Sequence, residues 1–303
     1  MVKDAPALAA AMQAHDWTVL GDKFPTGRPD RATVLVGRGD SARAVARFGP
    51  PEVARRTWEN MTTLWNSPFG TTRATAGLPE PLELFAEDGA VLMECVAGRP
   101  LAEIGPGWEK YFDDAIRLLA RLHGCGVTTG VERGSRGIVR SAQRKSTRAA
   151  ELAPQHAEAL RALAAAIEAH RVGDAELVPS HGDFSPRNVL AGGERMAIID
   201  WDRFQMADPA RDVAYFATWS WMEVLKRGRM PDNKLLKRAA HVYAEARPTA
   251  RLKKRLPFHV AAGLMRRACS LIELWPGQSY LVGPLVRVAL QQLEPRTRDK
   301  NDS

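Results

Sequence analysis

The segment SHGDFSPRNVL, residues 180–190, combines side chains that suit chemistry on a phosphate. Asp183 is a carboxylate that can orient a hydroxyl and accept its proton. Asn188, five residues later, offers an amide oxygen to a cation such as Mg²⁺. The two apolar residues that follow, Val189 and Leu190, predict a buried strand that anchors this polar loop.

The continuation of this segment predicts a hairpin that carries a metal site. The stretch NVLAGGERMAIID, residues 188–200, contains two short apolar runs around an Ala-Gly-Gly-Glu-Arg turn. Asn188 precedes the first predicted strand and Asp200 ends the second, so both are expected side by side at one end of the hairpin. Oxygen ligands of this kind suit Mg²⁺, which retains waters and shares its coordination shell with substrate phosphates.

This pattern resembles the catalytic signature of the aminoglycoside phosphotransferase family, which has a protein-kinase-like fold. The resemblance rests on His181-Gly182-Asp183, on Asn188 at the matching offset, and on Ile-Ile-Asp200 twelve residues further on. It also covers LARLHGCG (119–126) and DPARD (208–212), and it extends in order over roughly residues 20–220.

The resemblance implies a role for each matching residue. Asp183 is expected to be the catalytic base, while Asn188 and Asp200 are expected to hold Mg²⁺. His181 is expected to support the loop by hydrogen bonding rather than by proton transfer, and Asp212 to brace the loop from a helix N-terminus. For Asp202 and Asp208 in the same region, turn and capping roles stand beside metal or substrate contact.

Nucleotide binding is expected in the first third of the chain. By the resemblance, MECVAG (93–98) is a hinge at which backbone groups of Glu94 and Val96 meet the adenine of ATP, or the base of GTP. A loop covering the phosphates is expected near residues 24–32, where Gly27 is the one glycine.

One residue in this region departs from the family pattern. Arg47, in AVARF, stands where the family usually has a lysine that reaches the ATP phosphates. Arginine binds phosphate through a planar, bidentate fork, so the function can be kept with a changed geometry. Glu59, in the following helix, is the expected ion-pair partner of Arg47, and Glu52 is the second choice.

The elements around these motifs predict a strand-rich part followed by a helical part. Two strands are expected within residues 32–48, and a strand from residue 90. Between them, Pro50-Pro51-Glu52 is expected to open a helix that continues through Trp65 and stops near Pro68. A helix is expected over 108–123, and two more over 138–171. Beyond Asp212 the predicted segments are helices, and the prolines expected to break them are Pro231, Pro248, Pro257 and Pro276.

The predicted fold class is therefore α+β, a bilobal protein-kinase-like fold. Residues 1–93 are expected to form a small N-terminal nucleotide-binding lobe, with an antiparallel sheet and one main helix. Residues 94–98 form the hinge. Residues 99–303 form a larger helical lobe for catalysis and acceptor binding.

Composition narrows the choice of partners. The net charge is +8, and the segment from residue 211 onward carries 18 basic against 8 acidic residues. No zinc-finger spacing or aromatic RNA-binding motif accompanies these basic clusters, so nucleic-acid binding is the less favoured interpretation. Three widely spaced cysteines and the lack of a long apolar run favour a cytoplasmic protein without a membrane span. The oligomeric state is left open.

The sequence thus favours an ATP- and Mg²⁺-dependent kinase that phosphorylates a hydroxyl of a small molecule. The acceptor could be an antibiotic such as an aminoglycoside, but an aminoglycoside is a polycation, and the basic segment after the metal site opposes it. A neutral or anionic alcohol, or an antibiotic of another class, is therefore favoured as the acceptor. One alternative is a pseudokinase-like module that binds nucleotide without transfer. A protein kinase is less favoured, since the stretch between Asp200 and Asp208 is too short for an activation segment.

Overall fold

The structure is a computed structural model that describes residues 5–24, 30–39, 42–70, 75–105, 107–173, 176–248 and 251–294. In chain order, the strands are β1 Thr18–Phe24, β2 Ala32–Arg38, β3 Ala42–Phe48, β4 Pro81–Phe85, β5 Ala90–Glu94, β6 Arg99–Pro100, β7 Glu132–Arg133, β8 Val178–Ser180, β9 Val189–Ala191, β10 Ala197–Ile198 and β11 Gln205–Ala207. The α-helices are α1 Ala5–Gln13, α2 Pro51–Trp65, α3 Phe112–His123, α4 Ser135–Leu152, α5 Ala157–Ala169, α6 Pro209–Ala217, α7 Trp221–Lys226, α8 Lys234–Ala246, α9 Leu252–Leu274 and α10 Val282–Leu293.

Two compact units divide the chain. The first contains Met1–Val127 and Pro186–Phe204, and the second contains Thr128–Ser185 and Gln205–Ser303. The chain therefore passes from one unit to the other within the predicted catalytic loop, between Ser185 and Pro186. The lobe boundary expected at residues 94–98 stays a prediction.

A five-stranded antiparallel sheet forms the centre of the first unit, in the order β1-β2-β3-β5-β4. The predicted hairpin is present as β2 and β3, with Thr33 opposite Arg47. Because side chains alternate along a strand, Ala44 and Ala46 point into the core that α1 covers, and Arg47 points to the other face. The alternation of β3 thus directs one guanidinium away from the apolar core.

The helix α2 begins as the sequence predicts, and it ends at Trp65, slightly before the stop expected near Pro68. Pro51 occupies the first helical position and Glu52 lies in the first turn, where a negative charge stabilises the helix dipole. Its buried residues recur at helical spacing and include Asn60, Met61 and Leu64. Glu59 falls between them and is exposed.

The predicted hairpin of residues 188–200 is also present in the first unit. Val189 pairs with Ile198 and Leu190 with Ala197, and β6 adds a third strand next to β9. A backbone hydrogen bond of 2.7 Å from Ile198 N to the Gly77 carbonyl ties the hairpin to the loop before β4. In the same unit, a short 3₁₀ turn at residues 108–111 precedes α3, where the sequence predicted a single helix.

The second unit is mainly helical. Its small sheet has the order β7-β11-β8, and α4 and α5 are the two helices predicted within 138–171. One expectation is wrong, because Pro257 lies inside α9 and does not break it. Pro257 is in the second turn, so its missing N–H removes one early bond, while the many buried residues beyond it hold the helix. Among the described helices, none is long and apolar enough to cross a bilayer.

Two glycines of the first unit allow a matched test of this packing. Gly89 and Gly39 both have positive φ, at 65° and 60°. A Cβ on Gly89 would lie 2.2 Å from the Gly49 carbonyl oxygen, whereas a Cβ on Gly39 would meet nothing within 4 Å. Gly39→Ala should lower the free energy of unfolding by about 1 kcal/mol, the cost of an alanine in the left-handed conformation. Gly89→Ala should lower it by roughly 3 kcal/mol, because the backbone must also shift to admit the Cβ. Equal losses in urea denaturation would contradict this packing.

Candidate functional site

In the first unit, Asn188 and Asp200 flank the same end of the β9–β10 hairpin. Asn188 ends a short 3₁₀ turn and directly precedes β9. The N–H of Ile199, just after β10, donates a 2.9 Å hydrogen bond to the carbonyl of Asn188. This bond continues the ladder by one step beyond Ile198. The side-by-side placement expected from the sequence is therefore found, and the hairpin supplies two oxygen-bearing side chains at one edge.

Asp200 has an unusual backbone and a buried carboxylate oxygen. Its φ and ψ are 71° and 60°, in the left-handed region that few residues other than glycine adopt. Its Oδ1 is shielded from solvent and forms an ion pair of 2.5 Å with Arg47 Nη2. A non-glycine residue that holds a buried carboxylate oxygen in this backbone conformation is typical of a ligand-binding position.

Arg47 joins a cluster of charges. Its Nη2 lies 3.8 Å from Asp202 as well, and Asp202 forms a second, short ion pair with Arg31. Burial alone would lower the pKa of Arg47, but the charges of Asp200 and Asp202 raise it above its ordinary value. Burial would likewise raise the pKa of Asp202, and the two guanidiniums lower it. Arg47 and Asp202 are therefore charged at neutral pH.

Two expectations about this cluster need correction. Glu59 is not the ion-pair partner of Arg47, because it projects from the exposed face of α2, and Glu52 is exposed as well. The carboxylates that Arg47 contacts, Asp200 and Asp202, come from the segment after β10, and no local sequence pattern predicts this pairing. Asp202, for which a turn or capping role stood open, instead lies buried between two arginines, Arg31 and Arg47.

The predicted hinge is fixed by the side chain of Glu94. Its carboxylate pairs with Arg195 at 2.5 Å and accepts a 3.0 Å hydrogen bond from the Glu80 N–H. Arg195 also donates to the Ala76 carbonyl at 2.8 Å. Val96 is half-buried, and within the described residues its amide forms no hydrogen bond. An amide in this state can donate to a ligand. Gly27 lies outside the residues that the structure describes.

The predicted catalytic loop, which contains His181, Gly182 and Asp183, is held within the second unit by one carboxylate. Asp212, in the first turn of α6, accepts hydrogen bonds from the backbone N–H of His181 at 2.7 Å and of Gly182 at 3.1 Å. His181 is completely buried, and its Nδ1 accepts the Asp183 N–H at 3.3 Å. Both residues thus occupy the supporting places that the family resemblance implies for them.

Arg266 is the residue of this site that sequence reasoning missed. From α9 it donates to Asp183 Oδ1 at 2.6 Å and to the Gly182 carbonyl at 3.0 Å. Burial alone would lower the pKa of Arg266, but the charge of Asp183 raises this pKa above its ordinary value. Arg266 is therefore cationic in its ion pair with Asp183. One feature of the sequence could have identified Arg266. It is one of two adjacent arginines, 266 and 267, within the mostly apolar run HVAAGLMRRACSLIEL.

Asp208 closes the other end of this region. Its carboxylate caps α6 by accepting the Ala210 N–H at 2.9 Å, as one of the two sequence interpretations had it. It also accepts from Arg255 at 2.6 Å and from His259 at 2.8 Å. Burial alone would raise the pKa of Asp208, but these partners lower it well below its usual range. Asp208 is therefore a structural anion.

The comparisons with known proteins agree with this fold. The solved structures that resemble the chain include a type I macrolide 2'-phosphotransferase, with 18% identity, a TM-score of 0.59, and coverage of 97% of this chain and 99% of the other. A spectinomycin phosphotransferase in complex with ADP and spectinomycin has 13% identity, a TM-score of 0.63, and coverage of 96% and 99%. The choline kinase LicA from Streptococcus pneumoniae has 14% identity, a TM-score of 0.63, and coverage of 91% and 93%.

These likenesses define the class, an α+β protein-kinase-like fold shared by kinases of small molecules, and they confirm the predicted fold class. The model of the phosphotransferase enzyme family, APH, matches residues 24–252, and the chain belongs to this family. It is accordingly a phosphotransferase that acts on hydroxyl groups of small molecules. No curated protein matches its sequence.

The Arg31–Asp202–Arg47 cluster generates a stability prediction. Asp202→Asn should lower the free energy of unfolding by roughly 2–3 kcal/mol, because it leaves two largely buried guanidiniums short of a counter-charge. The control is Glu87→Gln, which removes the exposed partner of Arg55 and should change it by less than about 0.5 kcal/mol. Similar small losses for both variants in urea denaturation would show that the cluster is not stabilising.

Asp208 generates a pH prediction. A carboxyl whose pKa is lowered in the folded protein stabilises it above its unfolded pKa of about 3.9, and this stabilisation is lost as the pH falls towards the folded value. The difference in melting temperature between the wild type and Asp208→Asn should therefore be constant from pH 7 to about pH 5 and should shrink below about pH 4. Calorimetry at several pH values measures it, and a difference that does not change with pH would contradict the charged state.

Proposed function

We propose that this enzyme transfers the γ-phosphoryl group of ATP to a hydroxyl of a small molecule, with Mg²⁺ as the metal. The observation that carries the proposal is the end of the β9–β10 hairpin, where Asn188 and Asp200 lie together and the buried Oδ1 of Asp200 is next to Arg47. The ADP found in the spectinomycin phosphotransferase complex supports adenine nucleotide as the donor class. Nothing comparable supports GTP.

The donor set fits Mg²⁺ better than a metal that is held by protein alone. Within the described ranges, no group of three or more histidine, cysteine, aspartate or glutamate side chains is placed to hold a metal ion. Asn188 and Asp200 supply hard oxygen atoms, and Mg²⁺ characteristically takes one or two such ligands and completes its shell with water and substrate phosphates. When bound there, the ion would neutralise charge on the phosphates and orient them.

Arg47 is proposed to bind the phosphates of the nucleotide while it remains beside Asp200. A guanidinium has five N–H donors in a fixed fork, so contact with one carboxylate leaves donors for phosphate oxygens. The two carboxylates next to Arg47 raise its pKa and keep it cationic in the site. Arginine in place of the lysine of the family pattern is therefore compatible with transfer.

Asp183 is proposed to orient the acceptor hydroxyl and to take its proton. As the acceptor oxygen bonds to the γ-phosphorus, the bond from that phosphorus to the bridging oxygen of ADP breaks, and the products are ADP and a phosphate ester. Arg266 holds Asp183 Oδ1 at 2.6 Å and acts as a positioning residue. Asp212 fixes the backbone of the same loop through the N–H groups of His181 and Gly182.

Removal of either carboxylate should stop the transfer. Asp183→Ala removes the proton acceptor and Asp200→Ala removes a metal ligand, so each should lower kcat by about 100-fold or more. ADP formation in the presence of an accepted alcohol measures the effect. The matched controls are Asp232→Ala for the second unit and Asp114→Ala for the first, since both side chains are exposed. Wild-type turnover in both site variants would refute the proposed function.

A further inference from the structure

A cavity in the second unit borders the catalytic loop. Its wall includes Gly182 of the loop, Asp212 and Tyr215 of α6, and His259 and Arg266 of α9. All of its lining residues belong to the second unit. The space inside is ≈ 60 Å³, enough for about four to six water molecules at the usual ~10–15 Å³ for each, and therefore for a compact ionic group.

The lining of this cavity is strongly cationic. Four basic side chains, Arg133, Lys145, Arg211 and Arg266, face it from β7, α4, α6 and α9, and the single carboxylate is Asp212. His259 lines it too, but burial lowers its pKa, and the neutral ring adds no charge at neutral pH.

The nearby acids do not neutralise this charge. The oxygens of Asp212 accept the N–H groups of His181 and Gly182, and Asp183 is paired with Arg266. Arg133 and Arg211 form no ion pair within the described residues, and Arg211 Nη1 is buried without a hydrogen-bond partner. Two of the four cations thus face the cavity without an ion pair among the described residues.

The crowding of these cations costs free energy in the absence of an anion. Burial, together with the charges of Arg266 and Arg133, lowers the pKa of Arg211 to about 10, although Asp212 and Asp183 oppose the shift. Arg211 is still charged at neutral pH. A bound anion would offset the repulsion and would give the buried Nη1 a partner.

We propose that this cavity binds a carboxylate or phosphate group carried by the acceptor alcohol, so that the substrate of this enzyme is an anionic hydroxy compound. This inference rests on the proposed function, because it takes the cavity beside the Asp183 loop as the acceptor site. The same lining disfavours a polycationic acceptor. Two of the four cations, Arg211 and Arg266, belong to the basic segment that begins at residue 211.

The test measures binding without turnover. The full chain, saturated with MgADP in a low-salt buffer, is titrated in a calorimeter with glycerate, glycerol 3-phosphate and glycerol, three hydroxy compounds that differ in charge. At least one of the two anions should bind ten times more tightly than glycerol or better. Arg133→Gln should weaken that binding about tenfold, the effect of 1.4 kcal/mol, and Arg136→Gln, an exposed arginine three residues further on, should leave it unchanged.

The outcomes separate this inference from the proposed function. Preference for glycerate alone assigns a carboxylate, and preference for glycerol 3-phosphate alone assigns a phosphate. No binding of either anion, equal binding of glycerol, or anion binding that does not depend on Arg133 would overturn the inference. Titration with MgADP itself tests the nucleotide site, so a chain that binds MgADP but prefers glycerol would lose only the anionic substrate.

Discussion

The antiparallel pairing of β9 with β10 is the constraint on which the proposed metal site depends. A strand of three residues and one of two bring Asn188 and Asp200 to the same edge. Such a short hairpin is marginal alone, and contacts within the first unit hold it. The Gly77 carbonyl accepts the Ile198 N–H at 2.7 Å, and Asn60 of α2 donates to the Trp201 carbonyl at 2.8 Å.

The two units differ in how their clustered charges are balanced. In the first, the cations Arg31 and Arg47 are matched by Asp200 and Asp202, so the cluster is balanced before any phosphate or metal arrives. In the second, the cavity beside the catalytic loop has more cations than acids, and Arg211 illustrates the excess. A balanced cluster suits a metal-bound polyphosphate, while an unbalanced cavity suits an anionic acceptor.

Local sequence patterns predicted most strands and helices, but they did not predict the ion pairs between residues far apart in the chain. Alternation and turn residues indicated β2, β3 and the β9–β10 hairpin, and Pro51 with Glu52 marked the start of α2. The sequence analysis assigned Glu59, 12 residues away, as the partner of Arg47, but the partner is Asp200, 153 residues away. Which acid reaches Arg47 depends on how distant elements pack together, and no local sequence pattern encodes that. Arg266 was missed for the same reason, since it lies 83 residues from Asp183. Pro257 shows that burial can outweigh a local helix breaker.

The most direct measurement is anomalous diffraction from crystals grown with Mn²⁺ and a nucleotide, since Mn²⁺ substitutes for Mg²⁺ at sites built from oxygen ligands. The account predicts one metal peak at about 2.1 Å from a side-chain oxygen of Asn188 and from a carboxylate oxygen of Asp200, with nucleotide phosphate oxygens in the same shell. A metal peak that contacts neither residue, with nucleotide bound, would contradict the central claim that this hairpin end is the metal site.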